Sequence, residues 1–221
     1  SAKSQVFVDF SEKNEVSTTP LEDSRETAIL KQIFKANVRS SDKCPTGAND
    51  VEDVMEVSAI KGRFSTSKED HLLVAIHSVP CTSGRAGERH TLALVEKDRV
   101  LDFKEGAAHT FVKVFDQEGD GLMEVVMTAS WTGQGYTNTN ANTFSFVGGK
   151  IKKLKLIDGV VALDSCGLVE GTERVSVFFR KTDKPLSLFL KNYKKPCQAD
   201  KKSFKYDSSE PLEQDRPSPR R

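Results

Sequence analysis

The 221-residue sequence has no excess of either charge and no long hydrophobic segment. Its 33 Lys and Arg residues nearly balance its 32 Asp and Glu residues, which leaves a formal net charge of +1. A dedicated nucleic-acid-binding protein usually carries a strong basic excess, so this class of function is not indicated. No apolar run approaches the roughly 20 residues that a membrane-spanning helix needs. We therefore expect a soluble folded protein with no nucleic-acid ligand and no transmembrane segment.

Motifs of the common enzyme classes are also missing. The sequence has no nucleophile elbow, no phosphate-binding Gly loop and no HExxH helix. The four side chains that titrate near neutral pH are His71, His77, His90 and His109. They lack the spacing typical of a zinc site, so we expect them to be surface or half-buried histidines. No catalytic residue is predicted.

The few cysteines are widely separated and form no CxxC pair. They are Cys44, Cys81, Cys166 and Cys197. An even number at long separations suits two disulfides in an oxidising compartment, with four unpaired thiols as the alternative. Three connectivities are possible, and we favour Cys166 with Cys197 and Cys44 with Cys81, because each pair brackets a pair of predicted strands. The chain starts without Met or an apolar leader, and we expect a mature exported protein, whether periplasmic, envelope-associated or secreted.

The N-terminal part predicts one strand and one helix. Val6 and Val8 alternate with polar residues, which is typical of a short strand. Asp23 and Glu26 resemble a helix capping box, and apolar residues then recur at helical spacing. We place one amphipathic helix at about residues 24–37.

The rest of the chain predicts β structure followed by a polar tail. Ten short β-branched or aromatic segments, separated by turn residues, follow the first 53 residues. Gly148 and Gly149 mark the clearest hairpin, because they can adopt the positive φ angles of a tight turn. We divide the chain into an N-terminal strand, helix and linker (1–53), a β repeat domain (54–197) and a disordered polar tail (198–221), whose composition offers too little apolar surface to order it.

An internal repeat is visible within the β region. Residues 71–100 and 124–151 share one order of an apolar strand, a Gly-rich polar loop, an alternating strand, a two-residue turn and a return strand. The period is about 50 residues, close to the length of a four-stranded propeller blade. A partial third unit covers residues 164–190. We predict an all-β protein with one N-terminal helix and two or three propeller-like antiparallel units, too few for a complete propeller. We expect either that the units pack as a sandwich-like half structure or that their open edges are covered by the N-terminal strand, the helix or another chain.

The segment "FDQEGDGLMEVVM" places four carboxylates in nine residues. They are Asp116, Glu118, Asp120 and Glu124, at positions one, three, five and nine, with Gly121 at position six. These charges repel one another unless water or a cation lies among them. An EF-hand is excluded, because position twelve is a methionine and a strand follows. A calcium loop and a Gly-assisted β-turn with solvated carboxylates remain the two interpretations.

Preceded by "TFVKV" and placed within the repeat, this segment resembles the FG-GAP and VCBS-like repeats of integrin-type propellers, as found in uncharacterised bacterial secreted proteins. The resemblance covers about residues 54–165. It implies that calcium is bound by the side chains of Asp116, Glu118 and Asp120, the backbone carbonyl of Leu122, and Glu124 as the closing carboxylate. Oxygen ligands of this kind select a hard cation.

A second candidate site lies in the polar segment after the acidic loop. Trp131, Tyr136 and Asn138 combine aromatic rings with an amide, which suits stacking and hydrogen bonding to carbohydrate or peptide. The alternative is a connecting loop anchored by its tryptophan. We therefore expect a non-catalytic exported binding or structural protein with an unknown protein or glycan ligand. A metal-dependent hydrolase that uses the acidic loop as its metal platform is the rival hypothesis.

Overall fold

The computed structural model describes residues 5–14, 16–34, 37–39, 51–66, 68–80, 88–168, 171–180, 188–199 and 203–211. Across these residues the chain forms thirteen strands and one α-helix, so the predicted all-β class with one N-terminal helix is confirmed. Helix α1 (Asp23–Phe34) begins and ends slightly earlier than expected. It carries Asp23 and Glu26 in its first turn and Lys31 in its last, and these charges complement the helix dipole.

Five strands form the first sheet. They are β2 (Asn37–Arg39), β3 (Val51–Gly62), β4 (His71–Pro80), β5 (Arg89–Glu96) and β6 (Arg99–Glu105). The strands lie side by side in chain order, and all neighbours are antiparallel except β2 and β3, which are parallel. The β5–β6 turn lies at Lys97 and Asp98, where Lys97 has a φ of 56°.

Eight strands form the second sheet. They are β1 (Gln5–Asp9), β7 (Thr110–Phe115), β8 (Glu124–Gly133), β9 (Tyr136–Ser145), β10 (Lys152–Asp164), β11 (Thr172–Arg180), β12 (Leu188–Pro196) and β13 (Lys205–Pro211). Strands β7 to β13 are neighbours in chain order, and β1 pairs with β11. The two predicted repeats, 71–100 and 124–151, cover only parts of two meanders of four strands, β3–β6 and β7–β10. The second meander continues into β11, so it and the partial third unit share one sheet and are not separate blades.

This second sheet curls into a half-barrel because β10 bends. Its pairing with β9 shifts register between Leu154 and Asp158, and Gly159 has a φ of 136°. Irregularities of this kind bend a strand and increase its twist. As β10 leaves β11, β1 pairs with the vacated part of β11, and the ring of Phe7 in β1 contacts that of Phe115 in β7 at 5.0 Å between centroids.

The core consists of three layers of buried side chains. Helix α1 covers the outer face of the first sheet with Ile29, Leu30 and Ile33. Between the two sheets lie apolar residues of both, including Leu73, Leu92, Leu94, Phe111, Val125, Met127 and Phe144. The inside of the curl is filled by residues that include Phe7, Val8, Val126, Ile157 and Phe178. Strands β4 and β8 each supply two layers, which explains their continuous apolar runs.

The prediction that residues 198–221 are disordered is wrong for Lys205–Pro211. This segment forms β13, which pairs with β12. Backbone pairing to an open strand edge needs no apolar side chain, and composition therefore misses it. Polar contacts add to the pairing. Asn192 of β12 accepts a hydrogen bond from Ser176 of β11 at 2.8 Å and donates one to Ser208 of β13 at 3.2 Å.

One of the two predicted disulfides lies among the described residues. Cys166 and Cys197 are bonded with an S–S distance of 2.04 Å, as expected. Cys44 and Cys81 fall outside the described residues, so their pairing stays a prediction. No helix in the described part of the chain is long and apolar enough to cross a bilayer.

The Asn192 bridge predicts that Asn192→Ala loosens β13. The change leaves the Ser176 hydroxyl, in a residue only 5% exposed, without its acceptor, at a cost of about 1–3 kcal/mol. We expect faster chymotrypsin cleavage after Tyr206, measured by mass spectrometry. Ser209→Ala, at an exposed position of the same strand, is the control. Equal cleavage rates in all three proteins would show that the bridge does not hold β13.

Candidate functional site

The acidic loop connects β7 to β8 and is closed by its own backbone. Asp116 accepts hydrogen bonds from the N–H groups of Gly119 at 2.6 Å, Asp120 at 3.2 Å and Gly121 at 2.8 Å. Gly119 and Gly121 have φ angles of 73° and 83°, which only glycine adopts readily. The first carboxylate of the loop thus organises the turn.

Two further carboxylates of the loop also bind backbone. Asp120 accepts from the Leu122 N–H at 2.9 Å, and Glu124, which is 2% exposed, accepts from the Gln117 N–H at 2.8 Å. These hydrogen bonds are those of a Gly-assisted β-turn, and they favour the turn over the calcium loop. The described residues contain two groups of three converging metal-ligating side chains, and neither includes this loop. Calcium ligation by Asp116, Glu118, Asp120, Leu122 and Glu124 stays a prediction.

The pKa of Asp116 reflects the same contacts. Burial by itself raises the pKa of this carboxyl, but the hydrogen bonds donated by the backbone N–H groups of Gly121, Gly119, Asp120 and Glu118 outweigh burial and lower the pKa below its ordinary value. The loop therefore binds the ionised form of Asp116 more strongly than the protonated form.

The structure separates the acidic loop from the histidine that is nearest to it in sequence. His109 precedes β7 and Asp116 follows it, so the length of the strand, about 20 Å, lies between them. A cavity of about 280 Å³ opens on the curled sheet and is lined by residues that include Val160, Arg174 and Asp207. None of the four histidines or acidic-loop carboxylates lines it.

Trp131 and its predicted partners lie at the end of the β8–β9 hairpin. Trp131 is paired with Asn138 across the two strands, and Gly133 is paired with Tyr136. Because side chains alternate along a strand, these four positions share one face of the hairpin. The Trp131 and Tyr136 rings contact edge to face at 5.4 Å between centroids, and Trp131 is 52% exposed. The three residues predicted as a binding site are therefore together.

Gly133 provides the space in which the indole lies. A Cβ atom at this position would lie only 2.6 Å from Cη2 and Cζ2 of Trp131, so the benzo ring packs directly on the glycine backbone. On the other face of the hairpin, hydroxyl groups pair at 2.9 Å between Ser130 and Thr139 and between Thr132 and Thr137. These hydroxyl pairs connect the two strands on the face opposite Trp131 and Tyr136.

The turn of this hairpin contacts the disulfide-bonded loop. A Cβ at Gly135 would lie 2.9 Å from Cδ2 of Leu168 and 3.0 Å from the carbonyl oxygen of Gly167. The loop that contains them begins at Cys166, which is bonded to Cys197 at the end of β12. The disulfide therefore anchors the loop that the β8–β9 hairpin contacts. Asp164 lies beside these two sulfurs, but disulfide sulfurs are not metal ligands.

A histidine cluster is the feature that the sequence did not predict. His77 of β4 and His90 of β5 are register partners, and His109 of the β6–β7 connection joins them. The ring centroids lie 4.8 Å apart for His77 and His90, 5.3 Å for His77 and His109, and 4.4 Å for His90 and His109. His71 is separate, buried at the start of β4 with its Nε2 3.7 Å from Glu96. The cluster forms because β4 and β5 pair in this register, and the spacing of the histidines in the sequence does not reveal it.

Comparison with known proteins gives no relative from which a function could be inferred. No protein-family model matches the chain, and neither a curated protein nor a solved structure matches it. The FG-GAP resemblance therefore stays a prediction based on the sequence of the acidic loop and its repeat.

The contacts of Asp116 predict a pH-dependent contribution to stability. Asp116→Ala should lower the free energy of unfolding by about 1 kcal/mol at neutral pH, comparable to the loss of a helix N-cap. A carboxyl whose pKa folding lowers stabilises the fold above its unfolded pKa, about 4, and this contribution is lost as the pH falls through the folded pKa. Urea denaturation at neutral and acidic pH measures the difference, which should disappear at low pH. A difference independent of pH would contradict this origin.

Calcium binding is tested by comparing the wild type with Asp120→Ala at matched ionic strength. If the loop ligates calcium as the repeat resemblance implies, calcium raises the melting temperature of the wild type and not of Asp120→Ala. Equal responses of both proteins would leave the loop as a turn.

Proposed function

We propose that the chain is a non-catalytic, exported binding protein whose contact surface is the Trp131 platform, defined as Trp131, Gly133, Tyr136 and Asn138. Its ligand is a neutral carbohydrate. The observation that carries the proposal is the half-exposed indole resting on Gly133 beside an aromatic ring and an amide. A pyranose ring presents C–H groups that stack on such a surface and hydroxyl groups that bond to nearby amides.

The absence of charged residues from the β8–β9 hairpin itself favours a neutral ligand, and the nearest carboxylate in register is Asp164 of β10, which pairs with Thr137. No Asp, Glu, Lys or Arg occurs between Glu124 and Lys150, although such residues make up 29% of the chain. Strand β9 instead alternates Thr and Asn from Thr137 to Asn140. An anionic or cationic partner would find no opposite charge on this hairpin, whereas a polyhydroxyl ligand finds hydroxyl and amide groups.

Rigidity supports the same role. The hairpin is held by its paired hydroxyls and rests on the loop of Gly167 and Leu168, which the Cys166–Cys197 disulfide anchors. A platform ordered before binding loses little conformational entropy when the ligand arrives. Leu168 is 49% exposed at this contact and adds apolar surface near the turn.

Export is consistent with the disulfide, because such bonds persist mainly in oxidising compartments.

Calcium at the acidic loop would stabilise the fold from the far end of β7 and would not contact the ligand. The outer strands β7 and β13 leave sheet edges through which copies of the chain could associate. The rival hydrolase would need an acid or base beside the acidic loop, and no observation favours one there.

Fluorescence can test the platform directly, because Trp131 is the only tryptophan in the chain. We expect a neutral glycan identified on a glycan array to shift or quench the emission of the wild type in a saturable way. Trp131→Ala should weaken binding, measured by calorimetry, by at least about tenfold, since stacking contributes about 1 kcal/mol beyond buried area. Gly133→Ala should weaken it as well, because its Cβ displaces the indole.

Tyr206→Ala is the matched control, since Tyr206 is an aromatic residue of similar exposure, 57%, on β13. It should bind as the wild type does. Absence of any glycan ligand, or equal binding by Trp131→Ala, would refute the proposal. Saturable binding of a peptide at Trp131 in place of a glycan would refute the ligand class.

A further inference from the structure

The histidine cluster is independent of the Trp131 platform and offers nitrogen and oxygen ligands to a metal ion. One ligand atom from each of His77, His90 and Glu88 lies within 4.8 Å of the others. Zinc bound tetrahedrally at 2.0–2.2 Å separates neighbouring ligand atoms by about 3.4 Å. Small side-chain rotations are therefore enough to bring these three groups around one ion.

The backbone fixes two of these side chains and the ring beside them. His77 and His90 face each other on paired strands, so their separation is set by the sheet. The His109 ring packs on both, and its segment is fixed by hydrogen bonds from Ala107 N–H to the His90 carbonyl at 3.1 Å and from His109 N–H to the Thr128 carbonyl at 3.2 Å. Glu88 immediately precedes β5 and is 47% exposed in its side chain, which leaves the site open to ions from solvent.

Within the part of the chain that the structure describes, two buried nitrogen atoms of the cluster have no hydrogen-bond partner. Nε2 of His77 and Nδ1 of His109 are buried without one. Nε2 of His77 lies 3.6 Å from Glu88 Oε2, too far for a good hydrogen bond. An unsatisfied buried polar atom costs about 1–3 kcal/mol, and an ion is one of the partners that can remove this cost.

Burial affects the pKa of two of the three imidazoles, those of His90 and His109. Burial, followed by the neighbouring His109 and His77, lowers the pKa of His90 to about 4, although Glu88 acts in the opposite direction. Burial and His77 likewise lower the pKa of His109.

We propose that His77, His90 and Glu88 bind a divalent transition-metal ion, zinc, at the end of strands β4 and β5. Two imidazole nitrogens and one carboxylate oxygen supply three ligands, and solvent completes the coordination. Imidazole ligands favour zinc over calcium or magnesium, which prefer oxygen. The His109 ring packs against both imidazoles. A cluster of stacked rings with no ligand is the alternative.

Isothermal titration calorimetry tests this proposal on the full chain after treatment with a chelator. Zinc added at pH 7 should give saturable heat with one ion per chain. Glu88→Gln and His77→Gln should each weaken the affinity by at least about tenfold, the lower limit for losing a group that supports a metal site. Glu69→Gln, an exposed carboxylate before the other end of β4, should bind as the wild type does.

Cobalt provides a second measurement that does not depend on heat. Co²⁺ bound by the wild type should give visible d–d absorption, and Glu88→Gln, at a side chain that is 47% exposed, should reduce it. Circular dichroism verifies that the variants are folded. No saturable zinc binding by the wild type, or equal affinities for wild type, Glu88→Gln and His77→Gln, would overturn the proposal.

Discussion

Burial of both faces of strands β4 and β8 is the constraint on which the rest of the structure depends. Leu73 and Ile76 in β4, and Val125, Val126 and Met127 in β8, are completely buried. Each such side chain stabilises the fold by about 1.5–3 kcal/mol relative to exposure. No polar group can lie along the middle of these strands without losing that contribution. The candidate sites therefore lie toward the strand ends, at His77, Trp131 and the acidic loop.

The two ends of the strands differ in character. At one end, strand β8 connects the histidine cluster to the Trp131 platform. The backbone carbonyl of Thr128 in β8 accepts a hydrogen bond from His109 N–H. Thr128 lies three residues before Trp131, which is about 10 Å along the strand. The Cys166–Cys197 disulfide lies at this end too. At the other end the acidic loop joins the two sheets, since Met123 N–H donates to the carbonyl of Arg63 at 2.9 Å. The two surfaces proposed for binding thus lie at one end, together with the disulfide, and the acidic loop lies at the other.

Local patterns were sufficient to predict much of the fold. Alternation and turn residues gave the strands, the helix and the hairpins, because these depend on neighbours in sequence. They missed β13, whose order comes from pairing with β12, and they missed the histidine cluster, because His77, His90 and Glu88 meet only when β4 and β5 pair in one register. Trp131, Tyr136 and Asn138 were predicted together because they are close in sequence, but in a polar loop, and the structure places them instead on strands β8 and β9. The role of Gly133 depends on the position of the indole.

Native-state hydrogen exchange tests the central constraint most directly. If burial on both faces makes β4 and β8 the most stable strands, the amides of residues 73–76 and 125–127 should exchange only through global unfolding, with protection equal to the free energy of unfolding. The amides of β12 and β13 should exchange faster through local opening. Exchange in β4 and β8 as fast as in β12 and β13 would contradict this account.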